Sequence, residues 1–313
     1  MLTNKDGARM MKRSIIILLA AIIVVAGAAL RFFPHEKPRP YLPAIPAYLR
    51  QGKIALLKIN NISSLRNADT LKAFFDSVEA PIILLNNQRY ILVAVDYEKA
   101  LGTYPLTVIR EGQEIIEDSV RIIDGRFPVR RLSFPYEPAV AAKKDRRVAE
   151  RIRTDRSVMR NALTRKSPNQ LWDDLAFGFP LDSIEITSPF GTTRIYTNQK
   201  QGRPHTGVDL NTGFTPVKSI GKGRVLWASG RQLYLEGKMV VIDHGQGIIS
   251  LYMHLSRVKV NDGAEVNYGQ IIATSGQTGN ARGTHLHLNV RVGEALVDPI
   301  QFVKVFRAIA ARK

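Results

Sequence analysis

The segment Gly283-Thr284-His285-Leu286-His287-Leu288-Asn289-Val290-Arg291-Val292 alternates strictly between two kinds of side chain. Along a β-strand, successive side chains point to opposite faces of the sheet. Leu286, Leu288, Val290 and Val292 therefore share one face and enter a core. His285, His287, Asn289 and Arg291 share the other. Two imidazoles held on one face of a rigid strand make half of a metal site.

The remaining half is sought upstream. Five of the six histidines, His205, His244, His254, His285 and His287, lie in the last third of the chain. His205 and Asp209 are four positions apart, which on a helix would place both on one face. The intervening Thr206, Gly207 and Val208 are poor helix formers, so the segment is expected to be a bent strand. A straight strand would separate the two by roughly 13 Å, whereas zinc needs each donor within about 2.2 Å. The segment must bend to serve one ion, and Gly207 permits the bend.

A second alternation runs through Ile249-Ser250-Leu251-Tyr252-Met253-His254-Leu255. Its pattern predicts Ile249, Leu251, Met253 and Leu255 on an apolar face, with Ser250, Tyr252 and His254 on a polar one. Paired beside the strand of His285, it brings His254 and Tyr252 to the same groove. A histidine alone on a strand is an ordinary hydrogen-bonded residue; the three patterns together point to a metal site. His244, beside Gly245 at a strand end, is assigned a turn or supporting role rather than ligation.

The segments HTGVDL, VVIDHGQGIISLYMHLS and SGQTGNARGTHLHLNVRV resemble the lysostaphin-type (LytM-like) zinc metallopeptidases, which cut peptide bonds in bacterial peptidoglycan. The resemblance covers about residues 181 to 303, from Thr187-Ser188-Pro189-Phe190-Gly191 to Val297-Asp298-Pro299. It implies one Zn²⁺ ion held by His205, Asp209 and His287, with His254 and His285 as the catalytic histidines. Zinc with two imidazoles and one carboxylate keeps an open position for water and lowers its pKa towards neutrality. One imidazole then shuttles the proton to the leaving amine and the other supports the oxyanion, in either order. Tyr252 stands as a further oxyanion or substrate contact, beside the plainer reading of a packed strand tyrosine. Phe190, Arg194 and Tyr196 are named as groove residues that set the peptide preference. The alternative function is a non-catalytic, wall-binding regulator that activates another cell-wall hydrolase. The complete set of motif residues argues against it.

The fold expected is mainly β, in several parts. Residues 1–33 form a signal peptide or signal anchor: Lys5, Arg9, Lys12 and Arg13 precede an uncharged apolar run from Ser14 to Leu30. At about 17 residues that run is short for a membrane span and slightly long for a signal core. Ala26-Gly27-Ala28 offers a cleavage pattern, and the basic flank places the N-terminus in the cytoplasm. Either way the rest is exported to the periplasm, with an inner-membrane anchor where the run is retained. The absence of cysteine is compatible with this.

Residues 34–50 form a Pro-rich linker and residues 51–132 a small β-sandwich. The latter is similar to the immunoglobulin-like module that precedes the peptidase in some Gram-negative relatives. Residues 133–180 are a basic helical linker, helical from Ala139 to Leu171, with a narrow apolar stripe of Val148, Ile152, Met159 and Leu163. Residues 181–305 form the antiparallel zinc peptidase domain. A tail, residues 306–313, follows, and Phe302 to Ala308 form a short terminal helix. The net charge of +18 draws the chain to polyanions. Without a nucleic-acid recognition motif, the partners expected are peptidoglycan, anionic wall polymers or phospholipid headgroups, and not nucleic acid.

Overall fold

The computed structural model describes residues 41–60, 71–173 and 177–311. The apolar run Ser14–Leu30 and its cleavage pattern lie outside the described residues. Among the described residues, no helix is long and apolar enough to cross a membrane. The described chain is mainly β, with three α-helices: α1 (Glu137–Lys144), α2 (Arg146–Leu163) and α3 (Pro299–Ala310).

The strand His285–Val292 lies inside an eight-stranded antiparallel sheet. Val208–Asn211 and then Ile186–Ser188 lie on one side of it. On the other follow Ile248–Leu255, Gly237–Gly245, Gly223–Leu233 and Glu265–Val266. Leu286, Leu288 and Val290 are fully buried and pack with Phe302 and Phe306 of α3. Each such side chain contributes roughly 1.5–3 kcal/mol on leaving water. The terminal helix starts earlier than the sequence pattern indicated, because Asp298 caps it by accepting from the Ile300 and Gln301 backbone N–H groups, with Pro299 in its first turn.

Residues 49–123 build two sheets that share an apolar core. The larger runs Leu49–Arg50, Gln113–Ile123, Gly102–Arg110, Leu71–Phe75, Val78–Ala80; the smaller runs Ile54–Lys58, Gln88–Ala94, Ile82–Leu85. Leu49–Arg50, within the stretch expected to be linker, is thus a strand, paired parallel with Gln113–Ile123. The smaller sheet is covered on both sides. In Gln88–Ala94, Ile91 and Val93 enter the sandwich core, while Tyr90 and Leu92 enter the core beneath the C-terminal sheet. That explains an apolar run at Tyr90–Val95 where a half-exposed strand would alternate. Polar contacts pin the same junction. Lys53 Nζ lies 2.6 Å from Asp298 Oδ2, and the Gln301 side chain bonds the Ile54 N–H and C=O at 3.0 and 2.9 Å.

The basic segment is helical but broken. Asp145 ends α1 and caps α2, its carboxylate accepting from the Arg147 backbone N–H. α2 stops at Leu163 rather than Leu171, since Pro168 disfavours helical backbone at Ser167. It is packed against the sheet and is no free linker. Met159 and Leu163 lie on Ile249, Leu251 and Met253, the face opposite the main core.

Candidate metal centre

Register places the donors. Asp209 lies directly across from His287, and His287 directly across from Met253 on the next strand. Directly paired residues share a face, so Asp209, His287 and Met253 form one row. His205 lies just before the strand Val208–Asn211, where the chain bends as the spacing required. Gly207 does not achieve the bend through a left-handed φ. Its service is space: a Cβ there would overlap Asn289 Oδ1 and the Leu288 carbonyl oxygen and come within 2.6 Å of His287 Nε2.

The structure brings His205, Asp209 and His287 together. Asp209 Oδ1 lies 2.9 Å from His205 Nε2 and 2.7 Å from His287 Nδ1, and the two nitrogens are 3.0 Å apart. All three residues are buried, at 5, 8 and 9 % exposure. The outward atoms of His205 and Asp209 are tied off. His205 Nδ1–H donates to the Pro189 carbonyl at 3.0 Å, which leaves Nε2 as a lone pair facing the carboxylate. Arg194 Nη2 donates to Asp209 Oδ2 at 2.6 Å and to Ser188 Oγ at 2.7 Å. Burial lowers the His205 pKa. Burial pushes that of Asp209 up, but its hydrogen bonds to His205 and His287 outweigh this and hold it well below the usual carboxylate range. Two imidazole nitrogens and one carboxylate oxygen aimed at one point, with outer partners fixing His205 and Asp209, fit a divalent metal ion.

His254 and His285 stand beside this trio, ring centroids 4.7 Å apart. His254 Nδ1–H donates to Thr278 O at 2.8 Å and His285 Nδ1–H to Gly283 O at 2.9 Å. His285 Nε2 is 3.7 Å from Asp209 Oδ1. Burial, with His287 and His285 nearby, takes the His254 pKa down to about 3.

Tyr252 is a correction. The alternation of Ile249–Leu255 exists, but its faces are reversed. Ser250 pairs with Val290 and Tyr252 with Leu288, so both point into the main core. Tyr252 is 0 % exposed; its hydroxyl accepts from the Ile220 N–H at 2.8 Å and lies 3.1 Å from Ser250 Oγ. Ser250 Oγ donates to His244 Nε2 at 2.8 Å, and His244 Nδ1–H donates to Lys222 O at 2.8 Å. Burial takes Tyr252 up to about 12 and His244 down to about 4. This chain satisfies polar groups inside the core, and Tyr252 reaches neither oxyanion nor substrate. The apolar partners Ile249 and Leu251 face out because α2 covers them. His254 escapes the core through its own backbone: at φ 61° it breaks the alternation and turns its ring into the cleft.

The cleft over the donors has a volume of about 490 Å³. Arg194 and Tyr196 line it as expected, but Phe190 does not; it is buried against Tyr97 and Phe127. The sequence reading missed a second wall, Phe134 to Pro138, together with Glu236 and Arg282. Arg282 lies 3.3 Å above the Phe134 ring and pairs with Glu137 at 2.9 Å, and Arg203 lies 4.5 Å from the Tyr136 ring centroid. These residues come from remote segments with no shared motif.

Arg194 touches the donor set directly at Asp209 and reaches His205 through Ser188, so its loss should loosen the carboxylate. Arg194→Ala is expected to weaken metal affinity by roughly 10–100-fold, and Arg194→Lys to recover only part, having no planar fork for two acceptors. Competition against a chromogenic chelator measures this; unchanged affinity would remove Arg194 from the site.

An antiparallel sheet carrying a His–Asp–His donor set, with two further imidazoles in an open cleft, has the make-up of a metal centre. The model of Peptidase family M23 matches residues 203–299, a span that holds all five of these side chains. The likeness of the chain to that family lies in this domain. The peptidoglycan DD-endopeptidase ShyA of Vibrio cholerae is 38% identical over 116 residues, 36% of this chain and 26% of that protein. The DD-carboxypeptidase/endopeptidase Mpg of Neisseria meningitidis is 34% identical over 122 residues, 39% of this chain and 27% of that protein. The chain thus spans about a quarter of the length of these curated relatives. A putative peptidase M23 from Pseudomonas aeruginosa superposes with a TM-score of 0.57 at 26% identity, over 75% of this chain and 88% of that one. That likeness extends well beyond the matched domain.

Proposed function

We propose that the chain is a zinc-dependent endopeptidase that hydrolyses peptide bonds of bacterial peptidoglycan. The convergence of His205, Asp209 and His287 within 3.0 Å of one another carries the reading. Two relatives named for peptidoglycan or peptide-bond hydrolysis support it. A zinc ion in this donor set would polarise the scissile carbonyl and acidify a water molecule. The protein's part is orientation and proton transfer. With Nδ1–H committed to a carbonyl, His254 and His285 each keep Nε2 as the free atom. A ring so held takes a proton at Nε2 and returns it from the same atom, the traffic needed between attacking water and leaving amine. The cleft walls hold the peptide on either side.

His254→Ala or His285→Ala is expected to keep the metal and lose roughly 10²–10⁴ in turnover. Purified sacculi incubated with protein, with and without chelator, test the whole reading by mass spectrometry of released fragments. Metal-loaded protein that binds wall but releases no peptide fragments would refute it and leave the regulator. Export to the periplasm, with an anchor at Ser14–Leu30, belongs to the same proposal and is checked by cell fractionation.

A further inference from the structure

α2 carries six arginines, Arg146, Arg147, Arg151, Arg153, Arg156 and Arg160, among its 18 residues, and all are exposed. Its acids do not balance them. Asp155 is buried, held by Arg231 and by the Tyr234 N–H at 2.8 Å each and with Arg151 at 3.9 Å, which leaves Glu150 as the one exposed acid of this helix. The spacing works against the helix itself. Arg147 and Arg151, and again Arg156 and Arg160, are like charges at i,i+4, an arrangement that destabilises a helix in isolation. Solubility alone needs charge of either sign and gives no reason to keep this repulsion. A polyanion would relieve it.

The location of α2 narrows the partner. Met159 and Leu163 seat it on the sheet face that bears Met253 beside His287, so helix and donors share one surface. The charge of Arg156 is felt at Tyr136 and Glu236, both in the wall of the metal cleft. A second cleft, about 450 Å³, is lined by Arg151 and shares Glu137, Pro138 and Asn280 with the first. The two form one trough leading from the donors to the foot of the helix.

We propose that the arginine face of α2 is an exosite that holds a carboxylate-bearing stretch of the polymer whose neighbouring peptide bond lies at the metal centre. This rests on the peptidase reading. A polymer fits better than a lipid surface because the trough joins the arginines to the cleft, and a flat bilayer has no use for such a route.

The test uses the full chain with Arg146→Gln, Arg147→Gln, Arg153→Gln and Arg160→Gln combined, after its melting temperature is matched to the parent. Cosedimentation with purified sacculi is measured against salt, and cleavage of sacculi against cleavage of a short soluble peptide with the same linkage. The parent should release sacculi as salt rises. The variant's loss on sacculi should exceed its loss on the short peptide by about tenfold. Equal losses on both substrates, or undiminished sedimentation of the variant at low salt, overturn the exosite. Loss of binding only to vesicles of anionic phospholipid also overturns it and assigns the helix to a membrane. A parent that sediments salt-dependently through these arginines, yet cleaves neither substrate, supports the exosite and removes the peptidase reading.

Discussion

His287→Ala is expected to abolish both bound metal and peptide hydrolysis. His287 Nδ1 is 2.7 Å from Asp209 Oδ1 and 3.0 Å from His205 Nε2, so its removal takes one of three donors from a single point. Losing even an outer partner of a ligand costs about 10–100-fold in affinity, and losing a ligand costs more. A second penalty falls on Asp209, a buried carboxylate held ionised partly by this imidazole. His205→Ala and Asp209→Ala should give the same double loss, in contrast to the metal-retaining variants of His254 and His285. Elemental analysis of purified protein beside a sacculus digestion assay separates the two classes. One ion per chain with full turnover in His287→Ala would mean that the donors lie elsewhere.

Gly207→Ala should be nearly as damaging, although it adds a single methyl group and removes no donor. The new Cβ overlaps Asn289 Oδ1 and the Leu288 carbonyl oxygen and presses on His287 Nε2. The side chain of Asn289 can turn away; a backbone carbonyl inside a sheet ladder cannot. The strands Val208–Asn211 and His285–Val292 would have to part at the point where Asp209 faces His287. Overpacking of this kind costs roughly 3 kcal/mol or more. For a chain of this size that lowers the melting temperature by roughly 6–12 °C. Calorimetry with a metal titration reads both effects. A variant that melts with the parent and binds metal normally would show that the ladder yields more easily than its geometry implies.

How far the sequence disclosed these features depended on what each pattern encodes. The strand of His285 and His287 was fully legible, because one face enters a core and the other a cleft, so period-two alternation reports orientation directly. The strand of Tyr252 misled for the opposite reason. Both of its faces are covered, one by α2 and one by the main core, and alternation then says which residues share a side but not which side is outward. The buried polar residues Ser250 and Tyr252 are satisfied by His244 and the Ile220 N–H, partners that no local pattern announces. The left-handed backbone of His254, which turns its ring to the cleft, interrupts the strand's alternation without a glycine to mark it. The arginine and aromatic walls were hidden because they assemble from segments about 150 residues apart, such as Phe134 and Arg282. The bend at Gly207 is legible in the spacing of His205 and Asp209, but its cause is lack of room for a side chain rather than torsional freedom.

Residues 49–123 have no surface of their own on the side of Tyr90 and Leu92; those side chains help to fill the interior beneath the sheet that carries the donors. Interfaces of that apolar kind do not behave as hinges. The N-terminal sheets and the sheet that carries the donors are therefore seated as one body, joined through a common interior.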